Sequence, residues 1–228
     1  MVADNCFAIK RWVDPMEWAK KIKDIGLKYI EMSTDNECDP LYNTEEYLKK
    51  WVENVKVSEE KTETKVVNFY TGYQTYRTIG LAHPDKRVSK RLLENWLKKM
   101  VKVAKSLNSG LGFYLHAVPE NALQSPEAFN KTHEQVLENL SELAAYAWEN
   151  GKVQISLEQM YSPQQTPWTI KGAKEFIKEI YRRTEKPFYI TIDVGHQIGQ
   201  RKFLRPKFED MKKAIYGFKQ GGKIENIW

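Results

Sequence analysis

The chain has 228 residues, of which 41% are hydrophobic and 29% charged, and its formal net charge is +6. This is the composition of an ordinary soluble globular protein. The sequence contains no apolar run of the roughly 18 residues that a membrane span requires, its N-terminus lacks the apolar segment of a signal peptide, and two cysteines are too few for a disulfide framework. These features exclude membrane proteins and disulfide-rich secreted proteins, and they favour a cytoplasmic location.

Short apolar runs alternate with amphipathic segments along the chain. The first strand is predicted at 6–9, and the helix after it begins at Pro15, with Asp14 as N-cap, and ends before Gly26. Later strands are predicted at 27–32, 65–70, 111–115, 153–157 and 188–192, and later helices at 45–56, 86–107, 126–149, 169–182 and 207–216. Six strand–helix units in succession predict a parallel sheet.

Two architectures are built on such a sheet, namely an open doubly wound sheet and a β/α barrel. No glycine-rich phosphate-binding motif follows a strand, which removes the commonest reason to expect a nucleotide-binding open sheet. A full barrel has eight units, whereas six are recognisable here and the last residues, GGKIENIW, contain no further strand. We therefore expect one domain, 1–228, with an α/β fold of the TIM type that lacks its last two strands.

Acidic residues and histidines lie at the ends of three predicted strands. Glu158 ends the fifth strand, Asp193 ends the sixth, His196 follows three residues later, and His116 ends the fourth. The carboxyl ends of barrel strands converge on one mouth, and two carboxylates brought together there repel unless a cation lies between them. Carboxylate and imidazole ligands suit Mg²⁺, Mn²⁺, Co²⁺ or Zn²⁺. The pattern therefore predicts a divalent-metal site.

Two segments carry a resemblance to a known family. LEQMYSPQQTPWT and TIDVGHQIGQ resemble the metal-site strands of the xylose-isomerase-like barrel superfamily, which includes sugar and sugar-phosphate isomerases and epimerases and endonuclease IV. The resemblance implies that Glu158 and Asp193 are metal ligands, that Glu158 is also the catalytic group beside the carbon that loses its proton, and that His196 contacts the substrate. It further implies a divalent-metal-dependent isomerase or epimerase of a sugar or sugar phosphate, which acts through a metal-stabilised enediolate.

The chain departs from the superfamily pattern after His196. Sugar epimerases of this group take a further histidine and a further glutamate from their last two strands, but no histidine follows His196 here, and no predicted strand precedes Glu225. One alternative is therefore an inactive, truncated barrel that binds a sugar or metal without turnover. The open edges of such a barrel would favour a homo-oligomer.

Other side chains have less specific predictions. Trp12 and Trp168 follow strands, and with His116 they are expected to bind the substrate, since aromatic rings pack on the apolar face of a sugar. His133 lies mid-helix among polar residues and is expected to be exposed. The alternative function is an endonuclease IV-like DNA repair enzyme, but four histidines are few for a three-metal cluster, and the positive charge is spread out rather than grooved. Nucleic acid is therefore not the expected partner.

Overall fold

Six parallel strands form the centre of the structure, a computed structural model that describes residues 1–8, 11–72 and 78–200. The strands follow one another in the sheet in sequence order, and every neighbouring pair is parallel. They are Val2–Asp4 (β1), Tyr29–Ser33 (β2), Lys65–Thr71 (β3), Gly110–Phe113 (β4), Ile155–Gln159 (β5) and Tyr189–Ile192 (β6). This order is that of a β/α barrel, because the strand order of a doubly wound sheet reverses. The predicted TIM-type α/β fold is confirmed, with six of its strands among the described residues.

Helices connect these strands. They are Pro15–Asp24 (α1), Glu45–Thr62 (α2), Lys86–Leu92 (α3), Lys98–Ser106 (α4), Glu120–Leu123 (α5), Pro126–Glu149 (α6), Ile170–Thr184 (α7) and Val194–Gly199 (α8). A π-helical segment, Leu93–Leu97, joins α3 to α4, so the helix predicted at 86–107 is one continuous helical stretch. None of the described helices has both the length and the apolar character needed to cross a bilayer. The helix predicted at 207–216 lies outside the described residues.

Side-chain caps explain where most of the longer helices begin. In each case a hydroxyl or carboxylate oxygen accepts a hydrogen bond from a backbone N–H of the first turn, which would otherwise lack a partner. The capping residues are Asp14, Thr44, Asp85, Ser125 and Thr169. The caps at Asp14, Thr44 and Thr169 confirm the predicted starts of their helices. The helix predicted at 45–56 is longer than expected and continues to Thr62.

The first strand is where the prediction is wrong. The strand is Val2–Asp4, and most of the run predicted as a strand forms a 3₁₀ turn, Asn5–Ala8; Ile9 lies outside the described residues. Asp4 ends the strand, because its Oδ1 accepts a hydrogen bond from the N–H of Cys6 at 2.9 Å. The buried Asn5 then accepts a hydrogen bond from the N–H of Ser33, at the end of β2, at 2.7 Å.

The two faces of the sheet differ in chemistry. One face packs under the helices, and the largest fully buried side chains of the molecule include Trp18, Trp96, Phe69, Phe113 and Phe188. Alternate residues point the other way, toward the barrel interior, and several of these are polar. There, Asn68 of β3 donates to Glu31 of β2 at 2.7 Å, and Thr191 of β6 donates to Ser156 of β5 at 3.1 Å. This polar interior leads to the carboxyl ends of β5 and β6.

Gly80 provides a test of how tightly the loops pack. It pairs with His116 in an isolated antiparallel bridge, has φ +64°, and a Cβ at this position would lie 1.7 Å from the carbonyl oxygen of Leu115. We expect Gly80→Ala to lower the free energy of unfolding by about 3 kcal/mol or more, because the bridge must open. Urea denaturation would measure this loss.

Gly26 is the matched control, since it also has a positive φ, +80°, but nothing lies within 4 Å of the Cβ position. Gly26→Ala should therefore cost only the backbone strain, about 1 kcal/mol. Equal losses in the two variants would show that the close contact at Gly80 does not exist in solution.

Candidate metal centre

Glu158 lies in β5, a strand whose five residues are all buried. Its side chain points into the barrel interior, as that of Ser156 does two residues earlier. The Tyr70 hydroxyl donates a hydrogen bond to Oε2, and Oε1 lies 3.2 Å from Nδ1 of His196. Burial first, and then the neighbouring carboxylate of Asp193, raise the pKa of Glu158 to about 8. The surroundings thus favour the neutral acid, and a positive charge nearby would restore the carboxylate.

Asp193 follows β6 directly and is the N-cap of α8. Its Oδ1 accepts hydrogen bonds from the backbone N–H groups of Gly195, at 2.6 Å, and of His196, at 3.2 Å. Its Oδ2 lies 3.6 Å from Nε2 of His196. One oxygen therefore holds the turn in place, and the other faces the imidazole.

His196 is oriented by the backbone of β5. Its Nδ1 lies 3.0 Å from the carbonyl oxygen of Gln159, and the ring of Tyr161 lies against the imidazole with the ring centroids 5.1 Å apart. A carbonyl oxygen can only accept a hydrogen bond, so in the neutral imidazole the proton belongs on Nδ1. The lone pair of Nε2 then points toward Asp193, where it can bind a metal or accept a hydrogen bond from a substrate.

These three side chains form one cluster. Each of Glu158, Asp193 and His196 offers a ligand atom, and the three atoms lie within 4.8 Å of one another; they are the one such group found among the described residues. Two carboxylate oxygens and one imidazole nitrogen suit Mn²⁺, Co²⁺, Zn²⁺ or Mg²⁺. Three protein ligands also leave coordination positions for a substrate. The raised pKa of Glu158 fits such a site, because a cation would favour the charged form.

The sequence between residues 19 and 220 matches a protein family described as the xylose isomerase-like TIM barrel. This match spans most of the chain. The chain belongs to this family.

Solved structures of the same fold share little sequence with this member of the xylose isomerase-like TIM barrel family. A candidate xylose isomerase from Rhodospirillum rubrum is 20% identical, with a TM-score of 0.83 over 95% of this chain and 72% of that one. The 3-keto-D-glucoside 4-epimerase of Escherichia coli is 15% identical, with a TM-score of 0.67 over 95% and 74%.

A third similar structure is the D-psicose 3-epimerase of Clostridium cellulolyticum with D-tagatose, which is 13% identical, with a TM-score of 0.64 over 93% and 68% of the two chains. No curated protein matches the chain. At these identities the similarity establishes the fold alone.

The structure places the other predicted site residues outside the cluster. His116 is fully buried, its Nε2 lies 2.6 Å from the carbonyl oxygen of Thr166, and burial lowers its pKa to about 4. Placed in this way, its imidazole has no surface open to a substrate. Trp12 is half-buried against Phe7, with the ring centroids 5.9 Å apart. The roles of His116 and Trp12 in binding substrate remain predictions.

Trp168 lies on the loop that follows β5, and its backbone is tied to the site. Its carbonyl oxygen accepts hydrogen bonds from the side chains of Gln159, at 2.9 Å, and Gln200, at 2.6 Å. Gln159 also supplies the carbonyl that orients His196. The backbone of Trp168 is therefore linked to the cluster through Gln159. Its indole remains a predicted substrate contact. Glu225, considered as a further ligand, lies outside the described residues.

Sequence reasoning missed the role of the Tyr70 hydroxyl. Tyr70 lies on β3, two strands away from Glu158 on β5, and β4 runs between them. Tyr70 can reach Glu158 across β4 because residue 112 is glycine. A Cβ there would lie 3.0 Å from the Tyr70 ring and 2.9 Å from the Ser156 hydroxyl. The glycines of GLGF were the available signal, since glycine within a strand often marks close approach by another group.

His133 is also not as predicted, because it is half-buried rather than exposed. Its imidazole stacks on Phe129 with an interplanar angle of 8° and meets Phe176 edge-on, with centroid distances of 5.9 Å in both pairs. This turn of α6, which is polar in sequence, thus faces the neighbouring helix α7. Burial lowers the pKa of His133.

The burial of His116 predicts a loss of stability in acid. The pKa is about 4 in the folded protein and 6.5 in the unfolded chain, so the unfolded state binds the proton first. The contribution is complete above pH 6.5 and is lost as the pH falls through 4, with a total of about 3 kcal/mol. We expect His116→Asn to flatten the decline of the melting temperature between pH 7 and pH 4.5.

The comparison is of slopes rather than of absolute melting temperatures, because His116→Asn also alters the hydrogen bond to Thr166. A slope in His116→Asn equal to that of the parent would contradict the buried, neutral imidazole.

Proposed function

We propose that this chain is a divalent-metal-dependent isomerase or epimerase of a sugar or sugar phosphate. The observation that carries the proposal is the convergence of Glu158, Asp193 and His196 within 4.8 Å at the carboxyl ends of two adjacent strands, where active sites of TIM barrels lie. In this proposal residues 1–228 form one domain. The described residues contain no second ligand cluster that would support the endonuclease IV-like alternative.

The proposed ligands are the carboxylates of Glu158 and Asp193. A bound divalent cation would supply positive charge that polarises the carbonyl group of a substrate and lowers the energy of the anion formed on loss of the adjacent proton. Nε2 of His196 has its lone pair on the same side as Oδ2 of Asp193, at 3.6 Å. We assign it to the same cation or to a substrate hydroxyl group beside it.

Glu158 is the proposed general base. Tyr70 and His196 contact one carboxylate oxygen each, so the orientation of the carboxylate is fixed. A base must lie within hydrogen-bond reach of the proton that it removes and must be ionised when it acts. Burial and Asp193 raise the pKa of Glu158, and a bound cation would lower it again and so keep the proposed base ionised. Delivery of a proton to the opposite face of the same carbon gives epimerisation, and delivery to the former carbonyl carbon, with loss of the neighbouring hydroxyl proton, gives isomerisation.

The substrate class rests on similar proteins. One of the similar structures is a 3-keto-D-glucoside 4-epimerase, another is a D-psicose 3-epimerase with D-tagatose, and a third is a D-psicose 3-epimerase in the presence of D-fructose. All of these names denote sugars with a carbonyl group next to a carbon that carries a hydroxyl group. We propose a substrate of this α-hydroxy ketone class.

Metal binding tests the site. We expect the chelator-treated protein to bind about one Mn²⁺ per chain by calorimetry, and both Glu158→Gln and Asp193→Asn to weaken that binding at least ~10-fold, because each removes a charged ligand. Asp85→Asn is the matched control: Asp85 also caps a helix and accepts from a backbone N–H at 2.9 Å, and asparagine caps equally well. An affinity for Mn²⁺ that neither site variant changes would refute the proposed ligands.

Proton exchange tests the chemistry. With Mn²⁺ bound, the parent protein should incorporate deuterium from D₂O into D-tagatose, D-psicose or D-fructose at a carbon next to the carbonyl, as read by NMR. Glu158→Gln should reduce this exchange by about 10²-fold or more, because the general base is lost, and Asp85→Asn should not. A parent that binds Mn²⁺ but exchanges no proton of these ketoses would support the alternative of a barrel that binds metal without turnover.

A further inference from the structure

The outer surface of the barrel carries a groove between α2 and α4, separate from the strand-end cluster. It encloses about 340 Å³, which is within the size range of small-molecule sites. Its residues on α2 recur every three or four positions from Glu45 to Lys56, so they form one stripe along the helix. At 1.5 Å per residue the stripe is about 17 Å long.

The floor of the groove is apolar. Leu48 and Val52 of α2 and Val103 of α4 line it, and they are 5%, 8% and 7% exposed. The other flank of α2 is closed by packing on α1, where the Ser58 hydroxyl donates to the carbonyl oxygen of Pro15 at 3.2 Å. The groove is therefore the open side of α2.

The rim of the groove carries an excess of positive charge, because four lysines and two glutamates line it. Lys49, Lys56 and Lys102 line it and are exposed, and in the described part of the chain none of them lies within 4 Å of a carboxylate oxygen. The two acids of the lining already have partners: Glu45 lies 3.5 Å from Lys99, and Glu53 lies 3.1 Å from Lys50.

Glu59 is the further carboxylate close to this rim. It is electrostatically coupled to Lys56, but its Oε1 accepts a hydrogen bond from the backbone N–H of Val66 at 2.8 Å, so it is engaged on the side of the sheet. Three ammonium groups thus lie beside the apolar floor, and among the described residues none of them has a carboxylate oxygen within 4 Å.

We propose that this groove binds an amphiphilic anion, a molecule with a carboxylate or similar head group and an apolar chain. The apolar floor would bury the chain, since burial of apolar area is the main source of affinity for such a ligand. The free lysines would attract the head group, and their own methylene stems would extend the apolar wall. The apolar part of the stripe on α2 is the turn from Leu48 to Val52, so the chain of the ligand would pack on this turn, on Val103 and on the lysine stems. The site is independent of the proposed metal chemistry.

The test is a calorimetric titration of the full chain with dodecanoate, at dodecanoate concentrations below those at which micelles form. We expect about one dodecanoate per chain, bound at least ~10-fold more tightly than acetate, which lacks the chain, or decyl maltoside, which lacks the charge. Lys56→Glu/Lys102→Glu should weaken dodecanoate binding by about tenfold or more. Val103→Thr, which keeps the volume and adds a polar group to the floor, should weaken it about threefold or more.

The matched control for the charge reversal is Lys20→Glu/Lys23→Glu. These two exposed lysines lie on α1, so the control makes the same change in net charge on another helix, and it should bind dodecanoate as the parent does. If the protein bound acetate as tightly as dodecanoate, the groove would only attract anions in general, and the proposal would be overturned. Equal losses in the two double variants, or no dodecanoate binding by the parent, would overturn it as well. Because the readout is binding without added metal or sugar, these failures differ from a failure of the proposed isomerase function.

Discussion

The site depends on one electrostatic constraint, which is the placement of a buried and a half-exposed carboxylate, Glu158 and Asp193, side by side at the ends of adjacent parallel strands. The register pairs Glu158 with Thr191, so Asp193, two residues on, stands next to Glu158 at the same end of the sheet. Burial of Glu158 first, and then repulsion from Asp193, raise the pKa of Glu158. The neighbouring groups are arranged around this pair: Tyr70 and His196 contact Glu158, and backbone N–H groups contact Asp193.

The features that the sequence predicts well are those fixed by neighbouring residues in the chain. The run Tyr189–Ile192 is β-branched and apolar, and the acid that follows it must lie where the strand ends. Likewise, Asp14 before a proline and Thr169 before an amphipathic run identify helix starts locally. Because barrel topology then brings all strand ends to one mouth, a prediction of separate strands was enough to bring Glu158, Asp193 and His196 together.

The features that the sequence does not reveal depend on groups distant in the chain. The apolar run after Asp4 suggests a strand, but the Asn5 side chain instead joins the end of β2, 28 residues away. His116 stands at the end of its predicted strand as Glu158 does, yet its Nε2 bonds a carbonyl 50 residues later and the imidazole is enclosed. Tyr70 contacts Glu158 across β4 because position 112 has no side chain. A periodic pattern gives the face on which a residue lies, but not the neighbour that closes over it.

The contacts around the cluster would prepare it for the proposed cation. Oδ1 of Asp193 is held by two backbone N–H groups, so the position of Oδ2 is set by the start of α8 and not by a bound ligand. Nδ1 of His196 faces the Gln159 carbonyl, which fixes the tautomer that presents a lone pair on Nε2. The repulsion between the acids and the ordering of their side chains therefore both arise when the chain folds. A bound cation would relieve the repulsion, and it would find the side chains already ordered. Because burial and Asp193 raise the pKa of Glu158 to about 8, binding of the proposed cation below that pH would also release a proton. Metal affinity should accordingly rise with pH across the neutral range, and the base of the proposed reaction is produced by the same event that fills the site.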